Sequence, residues 1–212
     1  MALLSPLTDA ALPSPAFLRR CLDQLAAGGY TAVLTAALAP GEEPPFVAVG
    51  FEEHERLRLL SHDLHDLPPV PDVPMRRAHE SDRPAVLAVD ASAFRPFWQL
   101  DEWGLREAIG ATPVARFRVA ADADDRVIGY AISGRTHRRG YLQRLAVRPL
   151  SQGRGIGRAL ALDGLRWMRR RGVERAVVNT QLDNDAALRL YLSLGFREEP
   201  MGLAVLRRDL RS

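Results

Sequence analysis

The sequence predicts a mixed α/β protein that contains an antiparallel meander, and three observations support this. Short apolar segments rich in β-branched residues alternate with longer segments of helical periodicity, and polar or glycine-containing turns separate them. Three of the apolar segments follow one another with only short turns between them, which is typical of a meander. Hydrophobic residues make up 47% of the 212 residues, enough to bury a sizeable core.

The first part of the chain is predicted to be a small unit of helix and strands. Residues 1–13 lack the basic start of a secretion signal and are expected to be a flexible tail. Segment 14–68 is expected to be a half-domain, and the proline-rich segment 69–74 is an extended linker. The elements predicted here are a helix over 17–27 and strands over 30–36 and 56–60.

Residues 75–212 are expected to form the second domain. Its predicted helices are 81–91, 101–109, 155–171 and one that begins at Asp183 or Asn184. Its predicted strands are 115–120, 127–133, 141–147, 175–180 and 203–206. Arginines near the end of helix 155–171 suit the negative end of its dipole, and Gly172 and Gly195 end the last two helices.

The most informative segment joins strand 141–147 to helix 155–171. Pro149 ends the strand, and Gly153, Gly155 and Gly157 allow the backbone to approach a ligand without a Cβ in the way. The first N–H groups of the helix have no intrahelical partner and lie at the positive end of its dipole. The segment therefore predicts a pyrophosphate site, and a tight turn without a ligand is the alternative.

The residues around these glycines argue against two other phosphate-binding loops. A dinucleotide-binding loop has Gly-x-Gly-x-x-Gly and an acidic residue closing the next strand, whereas this chain has Gly-x-Gly-x-Gly and then Asn179-Thr-Gln. A Walker loop needs a lysine after its last glycine, and the sequence contains no lysine. Neither a dinucleotide enzyme nor a nucleoside-triphosphate hydrolase is therefore expected.

Two motifs resemble those of the GCN5-related N-acetyltransferases (GNAT superfamily). Gln152-Gly-Arg-Gly-Ile-Gly resembles the loop Gln/Arg-x-x-Gly-x-Gly/Ala, and Asn184, Ala187, Tyr191, Gly195 and Phe196 match Asn-x-x-Ala-x-x-x-Tyr-x-x-x-Gly-Phe. The resemblance covers about residues 74–210. It implies a mixed, mostly antiparallel central sheet flanked by helices, and acetyl transfer from acetyl-CoA to a primary amine of a small molecule, peptide or protein. A non-catalytic acetyl-CoA-binding sensor or partner module is the alternative.

The resemblance also implies which residues bind the co-substrate and which one acts as an acid. The implied acetyl-CoA-binding residues are Leu145, Ala146, Val147, Gln152, Gly153, Arg154, Gly155, Ile156, Gly157, Arg158, Asn184, Ala187 and Tyr191. The Val147 amide would polarise the thioester carbonyl, and Tyr191 would protonate the departing thiolate. For Tyr191 the alternative is a ring that only packs in the core.

The general base and the acceptor site are expected outside the two motifs. The family often has a glutamate on the strand before the loop, but this chain has Gln143 there, so Glu102 is the candidate base and Asp101 and His137 are further candidates. The aromatic-rich segment 94–103 is expected to border the acceptor, and rings that only seal the core are the alternative. The candidate substrate-binding residues are Phe94, Phe97, Trp98, Gln143, Asn179 and Gln181.

The half-domain 14–68 repeats the order of elements found at the C-terminal end of the chain. In this alignment Phe46 stands where Tyr191 does, and Pro44 and Pro45 interrupt the preceding helix. The half-domain is therefore expected to be a degenerate, catalytically silent GNAT-like copy. Similar patterning of unrelated helix and strand segments is the alternative.

The amino-acid composition limits the partners and the location that are expected for this chain. The single cysteine, Cys21, cannot form an internal disulfide, so a cytoplasmic location is expected, and no apolar run is long enough for a membrane span. The net charge of +3 arises largely from the arginines of residues 166–171, which argues against nucleic-acid binding. The histidines lack the spacing of a metal site, and either a monomer or a homodimer is expected.

Overall fold

The structure is a computed structural model that describes residues 1–6 and 11–210. The strands are β1 (Ala2–Leu4), β2 (Ala32–Thr35), β3 (Glu52–His62), β4 (Met75–Arg77), β5 (Val114–Ala121), β6 (Val127–Thr136), β7 (Arg139–Val147), β8 (Arg175–Gln181), β9 (Arg197–Glu198) and β10 (Leu203–Asp209). The helices are α1 (Pro15–Ala27), α2 (Pro44–Val47), α3 (Arg83–Ala93), α4 (Glu102–Gly110), α5 (Ile156–Arg170) and α6 (Asp185–Ser193). Short 3-10 helices lie at Glu80–Asp82, Pro96–Trp98 and Pro149–Ser151.

The chain divides into two compact units that do not follow the expected boundary at 69–74. The first unit contains residues 1–59, 179–185 and 198–212, and the second contains 60–178 and 186–197. The C-terminal strand was expected to complete the second domain, but it belongs to the first unit. The last strand of the expected domain 75–212 therefore lies in the same unit as the N-terminal segment.

The first unit is built around a sheet in which β10 lies between β2 and β3 and is antiparallel to both. Ser14 caps α1 by accepting a hydrogen bond from the Phe17 N–H at 3.2 Å, and Leu18 of α1 packs in the same core as Phe46 and Leu206. β1 pairs in parallel with β2, so residues 2–4 of the expected tail form a strand instead. Residues 7–10 of that tail lie outside the described residues.

The second unit contains the predicted meander. β4, β5, β6 and β7 pair antiparallel in that order, and β8 pairs in parallel with β7. Alternate residues face opposite sides of the sheet, so Val119 and Tyr130 pack in a core with α3 and α4, whereas Ala120 and Ala131 pack against α5. Helices therefore cover both faces of a mostly antiparallel sheet, which confirms the predicted fold class.

Helix α5 lies unusually close to the sheet because glycine stands at two contact points. A Cβ on Gly129 of β6 would lie 3.1 Å from the Ile156 side chain, and one on Gly164 of α5 would collide with the Ser133 hydroxyl. The close contact fixes the start of α5 relative to β7, and the loop that joins them is the predicted phosphate site.

The turn 46–51 of the first unit and the turn 191–196 of the second have the same backbone conformation. The Phe51 N–H donates to the Phe46 carbonyl at 3.2 Å, and the Phe196 N–H donates to the Tyr191 carbonyl at 3.1 Å. In each turn a glycine with positive φ precedes the second ring, and the ring centroids are 5.5 Å apart in both pairs. Pro44 starts the one-turn helix α2, as expected for an interrupted helix.

Candidate active site

The loop between β7 and α5 borders open space. Gly153 and Gly155 have φ angles of 76° and 77°, the left-handed region that favours glycine. A Cβ on Gly153 would meet no atom within 4 Å, and one on Gly155 would reach only Pro71, at 4.0 Å. The backbone conformation at both positions therefore favours glycine, as the sequence predicted, and the space beside them is free for a ligand.

The start of α5 presents unpaired amides to this space. Gly155 occupies the N-cap position without a capping side chain, and the first hydrogen bond within the helix runs from the Ala159 N–H to the Gly155 carbonyl at 2.9 Å. The N–H groups of residues 156–158 consequently have no intrahelical partner, and the dipole of the 15-residue helix adds positive potential. The loop therefore suits a pyrophosphate group.

The end of β7 supplies a second ligand-binding surface beside the loop. Within the described residues, β7 pairs with β8 only over 139–141, so residues 142–147 are unpaired on that side. The Arg148 N–H donates to the Ile128 carbonyl at 2.8 Å, and because amides alternate along a strand, the Val147 N–H points to the unpaired side. Gln152 Nε2 donates to the Val147 carbonyl at 3.1 Å and ties the loop to this strand.

These two surfaces fit acetyl-CoA. The pantetheine arm carries amides that can pair with an open strand edge, and its pyrophosphate suits the uncapped helix start. Gln152, Gly153 and Arg154 are exposed along the loop, as a binding surface requires. Arg158 is bound within the protein instead, since its Nη1 donates to Ser193 Oγ at 2.9 Å.

Tyr191 is buried in the core of the second unit. It is 5% exposed in the core formed by α5, α6 and β8, and Ala187 packs against the same core. Burial raises the pKa of the Tyr191 hydroxyl, which makes no hydrogen bond to any described residue. The hydroxyl therefore stays protonated at neutral pH, and its role as proton donor stays a prediction. The Arg158–Ser193 contact holds α6 to α5.

The three candidate bases lie in different surroundings. Asp101 caps α4, since its Oδ1 accepts a hydrogen bond from the Gly104 N–H at 2.7 Å, so its carboxylate is already used. His137 lies at the turn between β6 and β7, so the full length of β7, roughly 30 Å, separates it from the loop that follows Val147. Glu102 is exposed in the first turn of α4, and its role as base stays a prediction.

Gln143 occupies a β-bulge. Ile132 of β6 pairs with Arg144 and Ser133 pairs with Leu142, so Gln143 is the extra residue on β7. Its side chain lies next to Gly134, and its Oε1 atom is buried without a hydrogen-bond partner. A buried amide oxygen without a partner is a group that a substrate could satisfy.

A buried ion pair that the sequence reasoning missed anchors the aromatic segment. Arg144 donates to both carboxylate oxygens of Asp90 at 2.8 and 2.9 Å and to the Trp98 carbonyl at 2.5 Å. Its guanidinium lies 3.6 Å from the centroid of the Phe94 ring. Phe94 packs against the core of the second unit, whereas Phe97 is 42% exposed. An aspartate in the apolar helix 83–93 and an arginine in an apolar strand were the available signals.

The remaining predicted site residues belong to the first unit. Asn179 is exposed, and Gln181 and Asn184 are half-buried. Their roles toward acetyl-CoA or the acceptor stay predictions.

Residues 79–196 match the model of the acetyltransferase (GNAT) family. The chain belongs to this family. The match includes both sequence motifs and confirms the superfamily predicted from them.

Related proteins agree with this assignment. The chain is similar to the mycothiol acetyltransferases of Rhodococcus jostii (32% identity, 75% of this chain and 57% of the relative) and Salinispora tropica (29% identity, 86% and 67%). It therefore spans only part of the length of these curated relatives. No helix in the described residues is long and apolar enough to cross a membrane.

Solved structures are similar in fold. A tandem GNAT protein from the clavulanic acid biosynthesis pathway has a TM-score of 0.69 at 17% identity over 93% of this chain and 70% of its own. The ribosomal-protein-S18-alanine N-acetyltransferase of Escherichia coli has a TM-score of 0.54 at 21% identity over 65% of this chain and 94% of its own. At these identities the similarity concerns the fold alone.

Proposed function

We propose that this protein transfers the acetyl group of acetyl-CoA to a primary amine by direct attack. The observation that supports this best is the uncapped start of α5 beside the unpaired end of β7. A tight turn without a ligand would not need both an open strand edge and two left-handed glycines that border free space.

Different residues serve the separate steps of this reaction. The amides of residues 156–158 bind the pyrophosphate, and the Val147 N–H polarises the carbonyl that becomes an oxyanion. Bound acetyl-CoA supplies the thioester carbon that an unprotonated amine attacks. The Tyr191 hydroxyl donates a proton to the departing sulfur. The attacking nitrogen loses one proton, which the base, Glu102 in this proposal, accepts and which restores the tyrosine hydroxyl through solvent, so that thiol and amide are the products.

The acceptor is a small molecule in this proposal, with a peptide or protein amine as the second candidate. The relatives named mycothiol acetyltransferases support the first. The aromatic segment 94–98 borders the acceptor, and Gln143 is a polar group that could orient an amine. A screen should therefore begin with the acceptor of the mycothiol acetyltransferases.

Calorimetric titration of acetyl-CoA into wild type and Gly153→Glu tests the co-substrate site. The glutamate places a carboxylate beside the α5 amides, so binding should weaken at least tenfold through repulsion of the pyrophosphate. Gly172→Glu is the matched control, because Gly172 also has positive φ and no atom within 4 Å of a Cβ but follows the other end of α5. Failure of the wild type to bind acetyl-CoA would refute the proposal.

The alternative is a sensor that binds acetyl-CoA without turnover, and Tyr191→Phe separates the two functions. Because the Tyr191 hydroxyl has no partner in the described protein, its removal should leave folding and acetyl-CoA affinity unchanged. Loss of the general acid should lower kcat by about 10²- to 10⁴-fold, as measured by thiol release with an accepted amine. Equal turnover in both forms would limit Tyr191 to packing, and no turnover on any amine would favour the sensor.

The half-domain 14–68 is, in this proposal, a silent copy of the catalytic end of the chain. The matching turns at 46–51 and 191–196 support this, and Phe46 supplies the ring of Tyr191 without its hydroxyl. The cytoplasmic location, the absence of a nucleic-acid partner and the choice between monomer and homodimer stay predictions.

A further inference from the structure

A cavity in the second unit is lined by five arginines. It has a volume of about 510 Å³, within the usual range for small-molecule sites. It lies where β4 ends, since β4 pairs with β5 only over 118–120 and leaves the edge of residues 114–116 open. The basic residues that line it are Arg77, Arg83, Arg116, Arg118, Arg171 and His79.

The positive charge of this cavity is only partly neutralised. Glu80 forms an ion pair with Arg83 at 2.9 Å. Asp163, which does not line the cavity, accepts two hydrogen bonds from Arg116 at 2.7 and 2.9 Å. Five arginines against two carboxylates leave three positive charges in excess, and Arg77 and Arg171 make no ion pair with any described residue.

Arg118 adds positive charge beside this cavity. Its Nη2 donates to the Met75 carbonyl at 3.0 Å, whereas its Nε atom has no hydrogen-bond partner and lies 3.6 Å from Asp163. Burial lowers the pKa of the Arg118 guanidinium, Asp163 opposes this shift, and the nearby Arg116 adds to it. A bound anion would offset the repulsion between Arg116 and Arg118.

We propose that this cavity binds a small phosphorylated metabolite, distinct from acetyl-CoA. Five arginines line one space, and a phosphate offers more acceptor oxygens to them than a single carboxylate does. Ile109, Val114 and Phe117 give the cavity an apolar wall for the organic part of the ligand.

The site is separate from the acetyl-CoA loop. Trp167 and Arg171 line the cavity at the C-terminal end of α5, whereas the loop lies at its N-terminal end. A helix of 15 residues is about 22 Å long, so one phosphate group cannot occupy both places.

Inorganic pyrophosphate is the probe, titrated calorimetrically into the Gly153→Glu protein so that binding at the loop does not contribute. In this background, Arg77→Gln combined with Arg171→Gln should weaken binding at least tenfold. The control combines Arg169→Gln with Arg170→Gln, which removes the same charge from exposed positions of α5 outside the cavity, and should change affinity less than twofold. Citrate at the same concentration should bind at least tenfold more weakly than pyrophosphate.

Hydrogen exchange places the binding site independently. Pyrophosphate should slow exchange of the amides of residues 114–116 and 77–79 in the same protein. Absence of binding, equal loss in both arginine pairs, or protection elsewhere would overturn the proposal. Equal binding of citrate would overturn the assignment to phosphate.

Discussion

Asp90 is the residue that fixes the acceptor side of the proposed site. Its side chain is fully buried, and its carboxylate accepts hydrogen bonds from Arg144, from the Tyr130 hydroxyl at 2.5 Å and from the Leu100 N–H at 2.7 Å. A buried carboxylate is tolerated only with such partners. Because Arg144 also binds the Trp98 carbonyl, the ion pair joins helix α3 and strand β7 to the aromatic segment.

Replacement of Asp90 by asparagine should therefore affect both stability and acceptor binding. The amide keeps the side chain's size but leaves Arg144 without its counter-charge, which should cost about 3 kcal/mol in the free energy of unfolding. We expect the KM for the amine to rise at least tenfold while acetyl-CoA affinity is unchanged, because residues 94–100 lose their anchor. Urea unfolding, steady-state kinetics and calorimetry measure the three effects.

Asp163→Asn is the matched control for this prediction. Asp163 also accepts two hydrogen bonds from one arginine, Arg116, at 2.7 and 2.9 Å, but none of these groups lies in the aromatic segment. It should lower stability without raising the amine KM. An equal rise in KM for both variants would contradict a positioning role for Asp90.

Single residues could be predicted from the sequence where local backbone geometry decides. The sequence indicated that glycines let the backbone bend between strand and helix, and Gly153 and Gly155 do so in the left-handed region, since a turn into a helix constrains the backbone locally. Asp101 and His137 could not be judged in this way. Whether a carboxylate caps a helix or faces a substrate depends on contacts between distant segments, and periodicity contains no information about them.

At the scale of elements, α5 determines the geometry of the loop. Its buried face packs on β6 and β7 through Gly164, where a Cβ would collide with the Ser133 hydroxyl and lie 3.1 Å from the Leu142 side chain. Any side chain at this point would move the helix away from the sheet. The amides of residues 156–158 would then move relative to the end of β7.

We therefore expect Gly164→Val to lower the free energy of unfolding by about 2 kcal/mol through overpacking. It should also weaken acetyl-CoA binding, since helix and strand must present their groups together. Gly110→Val provides the comparison, because a Cβ on Gly110 in α4 meets no atom within 4 Å, and its effect should stay within about 0.5 kcal/mol. Similar losses in thermal or urea unfolding for both variants would show that helix propensity, rather than close packing, is responsible.

The elements themselves were largely predictable, whereas their placement was not. Helices α1, α3, α4, α5 and α6 and the strands of the meander lie close to the predicted ranges, because each has a clear period and recognisable ends. Strand β10 was predicted as an element, but its position between β2 and β3 was not. A strand's hydrophobic pattern specifies that it is buried and does not identify its neighbours.

At the scale of the whole molecule, the two units exchange segments that are distant in sequence. The first unit receives β10 from the C-terminal end, and the second receives the end of β3. There His62 accepts a hydrogen bond from the Leu64 N–H at 2.7 Å and, through Nε2, donates to the Leu194 carbonyl at 2.9 Å. His62 also packs on Phe196, so the turn that follows the Tyr191 helix depends on a residue of the N-terminal segment.

Because β10 belongs to the first unit, a substitution in this C-terminal strand should destabilise the N-terminal segment. Leu206 of β10 is 2% exposed and packs with Leu18 and Phe46, so Leu206→Ala should cost about 2–5 kcal/mol in the first unit. Hydrogen exchange should accelerate in α1 and β2 and stay slow in the meander. Leu162→Ala, a fully buried leucine of α5, should have the reverse pattern. If instead both variants accelerated exchange uniformly, the units would unfold only together, and the exchanged strands would make one cooperative structure of them.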